Sequence, residues 1–244
     1  NIYSQAAYLQ GGTNGTIGTS GRFMETDLQG GLINAQAGQS IFLTETAGDM
    51  RVGLVKSVNA DVSLKGVASI LDSGDNDADV VGNSITLVAE FGTIGASGDD
   101  LDINPAFSWA GTLTSSSEFN TYIIETLGNL SLDTVATNAG TAFIAAPYGS
   151  ILNGRTTGYN VTSGKTYLFA SNNIGADDKP ITTLVGNIEG QATTGSSWIT
   201  NSAPLTVGGV VDNDDPGFQG GGDLTIIASC PIDVTEDIIQ DGTV

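Results

Sequence analysis

The 244-residue chain has no histidine and a single cysteine, Cys230. Those two shortages exclude Ser-His-Asp triads, Cys-His dyads and zinc sites built on His or Cys clusters. A lone cysteine also forbids an intrachain disulfide, so pairing says nothing about redox compartment. Cationic side chains are scarce: seven Lys and Arg stand against 27 Asp and Glu, a formal charge of −20 at pH 7. Nothing in such a chain replaces the counterions on nucleic-acid phosphates, and nothing favours an anionic membrane surface. No apolar run approaches the ~18 residues of a membrane span, and no stretch carries an i, i+3, i+4 helical stripe. No basic leader run and no initiator Met occur, so the sequence reads as a mature product or an excised segment.

What is abundant is turn chemistry. Glycine occurs 34 times, and 20 of the 27 acids are Asp, a turn and loop former, rather than the helix-forming Glu. Apolar residues still make up 39 % of the chain, enough to build a core rather than a disordered tail. These residues fall in short alternating runs such as Ile41/Leu43, Met50/Val52/Leu54, Val62/Leu64 and Ile85/Leu87/Ala89, the period of strands with one buried face. The main runs recur roughly every 20 residues and are separated by Gly-Asp, Gly-Asn or Ser-Gly.

The chain also repeats itself. "GTIGTSG" at 15–21 returns as "GTIGASG" at 92–98, 77 residues later with six of seven positions alike. "IFLTETAGDMRVGLV" (41–55) returns as "YIIETLGNLSLDTV" (122–135), where Glu45-Thr46 matches Glu125-Thr126 at an offset of 80. "ASILD" (68–72) meets "GSILN" (149–153), and "IGASGDD" (94–100) meets "IGADDKP" (174–180). A weaker third copy begins at "WITNSAPLTVGGV" (198–210), in which Leu205, Val207 and Val210 stand for Leu130, Leu132 and Val135. Tandem units of about 80 residues, built of short strands and closely spaced turns, imply a β-solenoid, in which each coil buries its inner face against the next. A β-sandwich is the competing arrangement, since it too has strands at short spacing.

With "LTETAGDMRVGLV", "ASILDSGDNDADVV" and "SITLVAEFGTIGASGDDLDI" in view, the chain resembles the haemagglutinin-type repeats of very large secreted bacterial surface proteins. The resemblance covers residues 15–211 and weakens toward both ends. It implies an all-β, right-handed parallel β-helix, export from the cell, and a role in adhesion or surface architecture. The third copy departs from the pattern, with Pro204 entering the strand and "DNDDPGFQGGGD" inserted.

The resulting expectation is a solenoid of about 12 coils in one domain over 1–244. Residues 1–38 would end a preceding repeat, 39–118 form the first, 119–195 the second and 196–244 a partial third. Ile41, Leu43, Val62, Leu64, Ile85, Leu87, Ile94, Ile123, Leu130, Leu132, Ile144, Ile151, Leu205, Val207, Leu224 and Ile226 should point inward. The expected function is that of an adhesin stalk or filament subunit, secreted or at the cell surface. The two ends fall at nearly the same phase of the repeat, so head-to-tail self-association is the expected partner mode. A host or environmental glycan surface is a further candidate partner. No nucleic-acid partner and no membrane insertion are expected.

Candidate chemistry is confined to acids and aromatics. Asp75, Asp77 and Asp79, with Asp72 nearby, have the alternate spacing on a Gly-containing loop that can offer several oxygens to calcium. Asp212, Asp214 and Asp215 form a second such stretch. Neither completes an EF-hand or a calcium β-roll nonapeptide, so the competing reading is a set of solvated turns. No cofactor is required on this reading, with Ca²⁺ the one candidate. Asp99-Asp100 resembles the paired carboxylates of β-helical polysaccharide hydrolases, but the accompanying His and Arg-Ile-Lys motifs are missing; no enzyme activity is expected. Phe107, Trp109, Phe119, Tyr159, Tyr167 and Phe169 are the candidate sugar contacts. Aligning Leu87 with Leu168 turns Tyr167 and Phe169 outward, whereas a one-residue slip buries them. Cys230 reads as a small buried residue.

Overall fold

A computed structural model describes residues 1–105, 107, 110–211 and 215–244. Among these residues the chain forms 24 strands and no helix. Many of the strands are short because a turn interrupts them after two or three inward residues, whereas Val161–Ala170 and Ile181–Ala192 run to 10 and 12 residues. Ile41–Glu45 shows the pattern: Ile41, Leu43 and Glu45 are buried, while Phe42 and Thr44 are half-exposed. Neighbouring strands pair in parallel and in register, so apolar side chains stack on apolar side chains from turn to turn. Ile41 lies beside Val62, Val62 beside Ile85 and Ile85 beside Leu113. Parallel partners cannot be joined by a tight hairpin. Here the rest of each coil is the connection, and the chain is a parallel β-solenoid of about 11 turns.

The chain divides into two compact units, Asn1–Thr126 and Leu127–Val244. In the first, one ladder runs through Ile2–Tyr3, Met24–Asp27, Ile41–Glu45, Val62–Gly66, Ile85–Ala89 and Leu113–Ser117. A second ladder runs through Ala7–Gln10, Leu32–Ala37 and Met50–Ser57, then the split pair Ile70–Leu71 and Val80–Val81, then Leu101–Asn104 and Thr121–Glu125. In the second unit Val161–Ala170 pairs with Thr141–Ala146 on one side and Ile181–Ala192 on the other. Ser197–Asn201 continues from Ile181–Ala192 and pairs onward with Leu224–Ala228.

Turn length explains the small shortfall from the expected 12 coils. From Ile17 to Ile41, Val62, Ile85 and Leu113 the turns take 24, 21, 23 and 28 residues. They are longer than the 20-residue recurrence of apolar runs because loops and excursions are inserted without apolar signal. Every expected inward residue is buried except Ile226, which is half-buried on Leu224–Ala228. Pro204 sits just before the strand Leu205–Val207 rather than inside it, where its missing N–H costs no ladder bond.

Buried polar groups are matched to the coil. Glu45, 1 % exposed, accepts a hydrogen bond from Thr26 Oγ1 at 2.8 Å and from the Leu28 N–H at 3.0 Å. Asn201 does the same for Thr183 Oγ1 and the Val185 N–H, at 2.9 and 3.0 Å. In both cases a side chain on one turn supplies an acceptor for the corner of the turn before it, where the ladder has run out.

Candidate functional site

The repeated heptapeptide builds a surface hairpin. Ile17 and Met24 are seven residues apart, yet they pair with Ile41 and Leu43, which are two apart. The same mismatch recurs where Ile94 and Leu101 face Thr121 and Ile123, and where Ile174 and Ile181 face Ser197 and Ile199. Each time five extra residues leave the strand and return. Two backbone hydrogen bonds of 2.9–3.1 Å close the excursion, between Thr19 and Arg22, Ala96 and Asp99, and Ala176 and Lys179. The first residue out is always glycine: Gly18, Gly95 and Gly175 have φ of 68°, 64° and 73°. A Cβ at Gly95 would lie 2.3 Å from the Tyr122 carbonyl oxygen. Beside each isoleucine stands an aromatic residue, Phe42, Tyr122 or Trp198, whose N–H donates to the isoleucine carbonyl at 2.7–2.8 Å.

Asp99 and Asp100 belong to one of these hairpins. Asp99 closes it against Ala96. Asp177-Asp178 lies in the equivalent hairpin, at the tip where Ser97-Gly98 stands in the earlier copy. The two Asp-Asp pairs therefore share an excursion but not a position.

The candidate ligands at 72–79 lie on a second kind of excursion. Ile70–Leu71 and Val80–Val81 both pair with the single strand Met50–Ser57, and the chain between them arches outward. Asp72 and Asp79 frame the arch at 2 % and 1 % exposure, whereas Asp75 and Asp77 are exposed on it. The arch is shaped by its own side chains: Asp72 Oδ1 accepts from the Gly74 N–H, and Asp75 Oδ1 from the Asp77 N–H, each at 2.9 Å. The following turn brings Asp102 alongside, with the Asp79 N–H donating to the Asp102 carbonyl at 2.9 Å. Strand alternation places Asp102 outward between Leu101 and Ile103, yet it is only 6 % exposed. Sequence spacing missed this residue because what brings it to Asp79 is the register of two consecutive turns.

Three carboxyls are thus buried together. Burial pushes Asp79 up to about 9, aided by its hydrogen bond to Asp72 and by the charges of Asp72, Asp75 and Asp102. Burial also pushes Asp102 up to about 7, with the charges of Asp72, Asp100, Asp75 and Asp99 adding to it. Asp100 is raised by burial and by its neighbours Asp99 and Asp72. Asp79 Oδ2 is buried without a hydrogen-bond partner. The oxygens stand short of a closed shell: among the described residues no three acidic, Cys or His side chains are already set to grip a metal.

Of the second acidic stretch, Asp212 and Asp214 lie outside the described residues, and Asp215 is exposed. At the foot of that loop, Glu189 is fully buried and accepts from the N–H groups of Val210 and Val211. Burial raises its pKa, those two bonds oppose the rise, and the charge of Glu236 adds to it. Among the aromatics, Phe107, Phe119 and Tyr159 are 41, 48 and 37 % exposed, and Trp109 lies outside the described residues. Leu168 is buried, which turns Tyr167 and Phe169 outward to half-buried positions; Tyr167 leans on Phe143 at 6.2 Å between ring centroids. Cys230 is half-buried rather than buried, because it precedes the outer strand Ile232–Val234. No family model, curated protein or solved structure matches the chain.

Proposed function

We propose that the chain is a structural or adhesive segment of a secreted bacterial surface protein, a stalk or filament subunit that stacks head to tail. The observation that carries this reading is the in-register parallel ladder, repeated over about 11 turns, in which each turn buries its apolar row only against its neighbours. Such a fold converts added repeats into added length without changing the core. The outward rows are largely polar, with Thr44, Ser63, Lys65 and Thr86 beside the apolar Phe42 and Val88, which suits a solvated shaft. The haemagglutinin-type phrases support the surface setting, and the outward aromatics Phe107, Phe119 and Tyr159 support contact with glycans.

Self-stacking is part of the proposal: an in-register parallel ladder accepts a further strand at its edge, and a head-to-tail contact between copies that does not close on itself yields a filament. Sedimentation and negative-stain imaging of the purified chain across rising concentration test it. Fibres with an axial repeat near one chain length are the expected result. A chain that stays monomeric at millimolar concentration would reject the filament subunit.

A further inference from the structure

An aspartate pointing outward from a parallel strand ordinarily sits in water. Asp102 does not: it is 6 % exposed, and the register that sets Ile103 beside Val80 brings it next to Asp79, with Asp72 near enough to act on it. The charged groups acting on this cluster are more aspartates: Asp75, Asp99 and Asp100. One buried oxygen of the cluster, Asp79 Oδ2, has no hydrogen-bond partner. A proton on Asp79 relieves its contact with Asp72 alone, leaving Asp102 buried beside them and half-buried Asp100 close by. A divalent cation answers all of them at once, since it takes several carboxylate oxygens and offsets two charges.

We propose that Asp72, Asp79 and Asp102 are the protein ligands of a divalent cation, with Asp75 closing the shell from the arch. The donor set is oxygen only, which selects hard cations over zinc or copper. The Gly74 turn carries φ of 95° and has open space around it, so the arch can settle on an ion. Six to eight oxygens at irregular positions, some of them water, suit calcium better than the strict octahedron of magnesium.

The site is tested on the full chain at pH 8 after chelator treatment, by equilibrium dialysis and thermal melting with calcium, then with magnesium. One calcium bound per chain and a melting temperature raised by several degrees are expected, with magnesium weaker. Asp79→Asn with Asp102→Asn should fold, because the amides keep the shape and lose the repulsion, yet bind calcium more than about tenfold more weakly. Should that variant not fold, Asp75→Asn on the exposed arch serves instead, with weakened binding expected. Asp233→Asn with Asp237→Asn, elsewhere on the surface, should retain the full response. No binding at millimolar calcium, or an undiminished response in the Asp79/Asp102 variant, overturns the assignment and leaves a proton as the occupant.

Discussion

At the scale of single residues, the buried carboxyls make stability depend on pH in a direction opposite to most acidic proteins' salt-bridged carboxylates. Asp79 rises from 3.8 to about 9 and Asp102 from 3.8 to about 7 on folding. Each holds its proton more tightly folded than unfolded, so acid favours the folded state. Their contribution is fully present below the unfolded value of 3.8 and drains away as pH rises through about 7 and then about 9. In chelator, the melting temperature should therefore fall between about pH 5 and about pH 9. The Asp79→Asn, Asp102→Asn variant should flatten that slope, which separates the cluster from the general repulsion of a chain with charge −20. A slope identical in the two proteins would mean that these carboxyls titrate as solvated groups. Asp72 and Asp79 were legible in the sequence as ends of an acidic loop. Asp75 and Asp77 looked equally good by spacing and are exposed, because alternation within a loop says nothing about which side chains turn under it. Asp102 was invisible as a ligand, since only the pairing of Ile103 with Val80 sets it beside Asp79.

At the scale of elements, the hairpin excursion shows how a strand tolerates five extra residues. Gly95 must turn at φ 64° directly against the next strand, with Tyr122 O and Leu101 N at 2.3 and 2.8 Å from any added Cβ. Gly98, at φ 79° on the tip, has open space around it. Gly98→Ala should therefore cost about 1–2 kcal/mol, the ordinary left-handed penalty. Gly95→Ala carries that penalty and a backbone clash, and should exceed it by at least about 1 kcal/mol in urea or thermal unfolding. Equal losses at the two positions would show that the ladder yields to the added methyl. The repeated "GTIG" announced a tandem array, but its meaning was less simple than a copied turn. Ile17 belongs to the first ladder, beside Ile41, whereas Ile94 stands in the second, beside Ile70. Three turns from Ile17 end at Ile85, so the 77-residue spacing is three turns plus one further face. Period-two runs reveal which residues point inward, as Leu43, Leu64 and Leu87 do, but not which face they line.

At the scale of the whole molecule, a solenoid distributes its stability differently from a globular core. Leu87 is fully buried, with Leu64 beside it on one turn and Ser115 on the next. Leu87→Ala removes apolar contacts there and should cost about 2–5 kcal/mol, according to how far the neighbours collapse. In a compact globule that loss is shared by every element that meets the core. In a stack of turns it is felt by the adjacent turns, because stability is close to a sum of local and nearest-neighbour contributions. Native-state hydrogen exchange reads the difference. Amide protection should drop in Val62–Gly66, Ile85–Ala89 and Leu113–Ser117 while Ile181–Ala192, in the other compact unit, keeps its own. Protection lost evenly in both units would show a single cooperative block. A gradient centred on Leu87 is what a stack of turns requires, since a turn that frays locally can close again without unfolding the rest.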